Sequence, residues 1–204
     1  MNDFGDHVPL GHSLGPGEGW KQYNYLLRSG STAGDAAYRW MGLLYLHGGF
    51  DSPEAFFCPE ESEPLISFDT EDNPWPPDAS APAGKSTRVG YGTRPLLGWP
   101  FPRSRPLPSP MPRLSGVADV ALLADLLHKP DRIELRHETG LNATYGHGGA
   151  SWVPLEAIAE VEVGGVRWRD TLGAGFDTAF NDVFLKDAPK AADREGVWAE
   201  LDRF

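Results

Sequence analysis

Gly11-His12-Ser13-Leu14-Gly15 matches G-x-S-x-G, the pattern that in hydrolases lifts a serine nucleophile onto a sharp strand-to-helix turn. The chemistry needs a buried strand before the serine and a helix after it. Asp3, Gly5, Asp6 and Pro9 precede the motif and Pro16-Gly17-Glu18-Gly19 follows it, so neither element forms well there. A glycine-rich loop is the simpler reading, and a serine hydrolase at Ser13 is the lesser alternative. Gly84-Lys85-Ser86 resembles the end of a phosphate-binding loop. Ala79 stands where that pattern requires glycine, and Pro82 removes a backbone donor that would cradle phosphate.

Asp125, His128, His137 and His147 fall close together in the chain, and imidazole with carboxylate suits zinc and related ions. Asp125, His137 and His147 form the candidate metal set. No pair lies at helical i, i+4 spacing, and a histidine in a turn or at a strand end is more often satisfied by backbone hydrogen bonds. Asp170, Asp177 and Asp182 offer oxygens to calcium but lack the dense D-x-D-x-D-G spacing of a calcium loop. A zinc or calcium ion is thus the only cofactor these residues suggest, and none is required.

The bulk properties narrow the class. A chain of 204 residues, 40% hydrophobic, suffices for one domain with a real core, and 1–204 is read as one. A net charge of −11 disfavours nucleic acid and anionic membrane surfaces, leaving small cations as the better-matched charged partner. Cys58 is the single cysteine, so no internal disulfide and no CxxC redox motif can be drawn. The first thirty residues contain no apolar run of the length a signal peptide or a membrane span needs.

The elements that would position these residues follow from pattern. Residues 1–20 read as an irregular entry. Ala36, Ala37, Trp40, Leu43, Leu44 and His47 recur at helical spacing and predict a helix over 33–47, capped by Gly34-Asp35 and stopped by Gly48-Gly49. Prolines make two long loops, about 59–88 and 95–113, the first a surface excursion and the second anchored by Leu96, Leu97, Trp99 and Phe101. Strands are expected at 117–123, 132–137, 141–145 and 150–153, with tight glycine turns between the later ones. A helical turn at 155–159, a hairpin over 161–168 and a terminal helix capped by Asp193 complete the reading. Helices before and after a run of strands, without βαβ alternation, give α+β: an antiparallel β-sheet with flanking helices.

His137 through Val153 (HETGLNATYGHGGASWV), with Leu122-Leu123-Ala124-Asp125 ahead of it, resembles the C-terminal H-x9-D-G signature of a large bacterial group of prepilin-like proteins, the type II secretion pseudopilin-like subunits. His137, Gly140, Asn142, Tyr145, Gly148 and Trp152 match, while His147 stands where the motif has aspartate. Phe56-Phe57-Cys58-Pro59, Val89-Gly90-Tyr91-Gly92 and Asn2-Asp3-Phe4-Gly5-Asp6 follow the order of other segments of that group. The resemblance implies a pilin-like head with long proline-rich loops, preceded in the full protein by a prepilin peptidase site and an apolar helix that anchors it in the inner membrane. Loss of that helix should expose an apolar sheet face.

The implied function is mechanical rather than enzymatic: a structural subunit of a type II secretion or type IV pilus-like filament in the cell envelope. Its partners would be other pseudopilin subunits, secreted cargo and inner-membrane assembly proteins, with the membrane reached only through the N-terminal helix. The alternative is a carbohydrate- or ligand-binding envelope module using Trp20, Trp40, Trp75, Trp99, Trp152, Trp168 and Trp198 as stacking faces.

Overall fold

A computed structural model describes residues 25–30, 38, 41–49, 52–77, 85–94, 113–127, 130–163, 166–171 and 196–204. The entry segment 1–20 with its G-x-S-x-G motif, the proposed caps at Gly34-Asp35 and Asp193, and Pro95 to Pro112 lie outside them. Where length suggests one domain, packing divides the chain into two compact units, Asn24–Thr93 and a second that resumes at Arg94. The described elements are antiparallel strands and short helices, an α+β arrangement.

In the unit spanning Asn24–Thr93, β1 (Leu26–Arg28) pairs antiparallel with β2 (Thr87–Arg88), and β3 (Tyr91–Thr93) follows. The helix expected over 33–47 is confined to α1 (Met41–Leu46) among the described residues. Tyr38, inside the expected helix span, instead bridges to Arg28 and donates its hydroxyl to the Pro77 carbonyl. Tertiary pairing with β1 overrides the local periodicity. The stop is the one expected: Gly48 has φ 69°, and Gly48 and Gly49 donate back to Tyr45 and Leu44, closing the helix with a left-handed glycine.

Residues 57–77 contain neither helix nor strand, yet they are no surface excursion, because Ile66 and Asn73 are fully buried. Aromatic rings fill this unit. Trp75 meets Tyr45 edge-on at 5.0 Å and Phe57 meets Phe68 at 5.1 Å, contacts worth about 0.5–1.5 kcal/mol each beyond their burial. Asn73 closes the loop: Nδ2 donates to the carbonyls of Ser67 and Arg88, and Oδ1 accepts the Arg88 N–H at 2.8 Å. The side-chain amide thus does for β2 what a second strand neighbour would.

In the second unit, β4 (Ala121–Asp125) pairs antiparallel with β5 (Gly140–Tyr145), which pairs with β6 (Ala150–Pro154). The first of these begins later than the expected 117–123, since Val117 to Val120 turn before pairing starts. The strand expected over 132–137 is instead the end of α2 (Pro130–His137). Ile133, Arg136 and His137 turn inward at helical spacing while Leu135 is 71% exposed, a division that a strand face shared by Ile133 and Leu135 would not permit.

Leu141, Ala143 and Tyr145 of β5 and Val153 of β6 are buried, whereas Asn142 and Trp152, one residue out of phase, are exposed. Two short helices close on this sheet. α3 (Leu155–Ala159) packs against β5, β6 and the terminal α4 (Val197–Leu201). Trp168 and Trp198 are fully buried in this unit's core. The hairpin β7 (Glu162–Val163) and β8 (Val166–Arg167) lies between α3 and a 3-10 turn at Trp168–Thr171. The exposed side of the sheet is mixed, with Trp152 and Ala150 beside Asn142, and not the continuous apolar face that loss of a covering helix implies.

Candidate functional site

The signature residues lie on α2, β5, the turn after it and β6, and they build two small clusters at opposite ends of one hairpin. At the first, β4 delivers Asp125 as its last residue and α2 delivers His137 as its last. Glu138, at φ 58°, reverses the chain so that β5 begins two residues later. His137 Nε2 then stands 3.3 Å from Asp125 Oδ2. The same oxygen accepts the Asn142 backbone N–H at 2.7 Å and its Nδ2 at 3.3 Å.

Asp125 is only 1% exposed, and its other oxygen, Oδ1, is buried without a hydrogen-bond partner. A buried, half-satisfied carboxylate is costly unless a positive charge stands beside it. His137 is the imidazole beside it, and its ring meets Trp152 edge-on at 5.7 Å. Gly140 gives that indole its seat, since a Cβ there would lie 2.7 Å from the Trp152 ring and 2.5 Å from the Val153 carbonyl. Only a residue without a side chain leaves room.

The second cluster is the turn between β5 and β6. Gly148 adopts φ 87°, and Tyr145 and Gly149 close the loop with the Tyr145 N–H donated to the Gly149 carbonyl. His147 sits where the motif the sequence resembles has aspartate. Its Nδ1 lies 2.8 Å from the Ala118 carbonyl and its ring stacks on Tyr145 at 5.8 Å. Tyr145 reaches the other way and donates its hydroxyl to the Leu201 carbonyl at 2.9 Å, tying the sheet to α4. Burial, with a smaller contribution from the nearby Asp202 charge, pushes the Tyr145 phenol up from its ordinary value.

Of the candidate metal set, the fold therefore brings Asp125 and His137 together and leaves His147 in the turn beyond β5, at the other end of the hairpin. His128, Asp177 and Asp182 lie outside the described residues, and Asp170 is an exposed partner of Arg167. Lys85 and Ser86 serve local structure: Lys85 Nζ donates to the Glu71 carbonyl, and Ser86 Oγ accepts the Gly30 N–H. Among the described tryptophans, Trp168 and Trp198 are core, Trp75 is half-buried in the aromatic cluster, and Trp152, 46% exposed, is the most open to solvent.

Asn73, Arg94 and Asp202 are the structural residues that spacing does not reveal. Compared with family models, with curated proteins and with solved structures, the chain finds no match.

Proposed function

We propose that this chain is the head of a pseudopilin-like structural subunit of the cell envelope, acting in a type II secretion or type IV pilus-like filament and not as an enzyme. Its work would be packing against neighbouring subunits, with secreted cargo or inner-membrane assembly proteins as further partners. The carrying observation is the use to which the signature residues are put. His137 is held between Asp125 and Trp152, Gly140 seats Trp152, Asn142 is bonded to Asp125, Gly148 makes the turn, and Tyr145 grips α4. A catalytic signature converges on one point where substrate can be reached. This one is spread along a hairpin and fixes its shape at both ends, which favours a framework whose surface is the working part.

The test is cellular. In the organism that makes it, the protein should be recovered from inner-membrane and sheared-filament fractions, processed by prepilin peptidase, with a Gly-Phe-Thr-Leu-Ile-Glu-like site and an apolar helix encoded upstream of Met1. Recovery wholly in a cytosolic fraction, with a stop codon directly upstream, overturns the reading.

A further inference from the structure

We infer that Asp125 and His137 supply two ligands to a divalent metal ion of the zinc class. Two donors held about 2.0 Å from a tetrahedral zinc stand about 3.3 Å apart. His137 Nε2 and Asp125 Oδ2 are separated by 3.3 Å, long for a charge-assisted hydrogen bond and right for two neighbours on one ion.

The carboxylate is set as metal-binding carboxylates are. The Asn142 N–H holds Oδ2 from outside at 2.7 Å, fixing the orientation of the group. Oδ1 is buried and has no hydrogen-bond partner. An imidazole N–H facing Oδ2 leaves that second oxygen bare. A metal ion satisfies both, by bonding Oδ1 directly or through a water that it carries. The carbonyl end of α2, where His137 sits, adds negative potential, as does the net charge of −11. Water or a further donor would complete the coordination.

The test uses the purified chain, stripped with chelator and titrated with Zn2+ by calorimetry and with Co2+ by fluorescence. One equivalent of zinc should bind. Cobalt should quench the emission of Trp152, 5.7 Å from the His137 ring, and that component should vanish in Trp152→Phe. Asp125→Asn and His137→Gln should each weaken zinc binding on the order of a hundredfold, and His147→Ala should leave it unchanged. A wild-type chain that binds no zinc, or variants that bind as tightly as wild type, overturn the inference. If a variant fails to fold, magnetic resonance of the wild type decides, because zinc that leaves the His137 ring protons unmoved overturns it as well. None of these readouts depends on filament assembly, so the two proposals stand or fall separately.

Discussion

Arg94 and Asp202 stand 108 residues apart and meet as a two-pronged ion pair, Nη1 2.5 Å from Oδ1 and Nη2 3.0 Å from Oδ2. The guanidinium is fully buried, lies 5.9 Å from the centroid of the Trp198 ring and donates to the Ala121 carbonyl. Asp202 Oδ1 in turn accepts the Ala121 N–H at 2.9 Å. The planar fork of arginine matches a carboxylate in this way, and here it bolts the end of α4 to the first residue of β4.

Removing both partners of this pair should cost less than the two single removals added together. Asp202→Ala strands a buried guanidinium and is expected to lower stability by about 3–5 kcal/mol in urea unfolding. The joint change Arg94→Met with Asp202→Leu should cost clearly less than the sum of the single changes. Additive losses would show that the two groups do not act as a pair.

Asn73 offers a second structural test. Asn73→Asp keeps the shape but replaces the Nδ2 donor with an oxygen facing the carbonyls of Ser67 and Arg88. At a fully buried position that leaves acceptors opposed to acceptors, a loss of about 1–3 kcal/mol at neutral pH. Proteolysis within 57–77 should rise in parallel, and a variant as resistant as wild type would contradict the role given to this amide.

The hairpin was legible in the sequence because its cause is local. Leu141, Ala143 and Tyr145 alternate with exposed positions, and Gly148 marks the turn with a conformation that glycine favours. Arg132 to His137 misled for an equally local reason. Ile133 and Leu135 alternate as strand residues do, and the solvent exposure of Leu135 was the feature that alternation cannot report. Asp125 and His137 were legible as residue types but not as neighbours, because α2 and the reversal at Glu138 bring them together. Arg94 and Asp202 left no trace, since no local pattern couples residues at such separation.

Glu138 is the strained link in that reversal. A φ of 58° is costly for glutamate, whose Cβ crowds the following carbonyl oxygen, and less so for asparagine, which can bond its own backbone, or for glycine, which has no Cβ. The side chain is exposed, so little packing is lost by replacing it. Glu138→Asn should raise stability by about 0.5–1 kcal/mol in thermal or urea unfolding. A destabilised variant would mean that the glutamate side chain has a role of its own.

Tyr145 sets an alkaline limit. Its phenol donates to the Leu201 carbonyl, which requires the proton, and burial raises its folded value above the unfolded one of about 10. The folded state therefore binds more protons than the unfolded state once pH passes about 10, so stability present below that pH is lost as pH rises toward the folded value. Tyr145→Phe should cost about 1 kcal/mol at pH 7 through the lost hydrogen bond, yet flatten the fall between neutral and strongly alkaline solution. Unfolding curves collected from pH 7 to pH 11 on both proteins make the comparison, and parallel curves across that range would show that the Tyr145 proton does not hold α4 to the sheet.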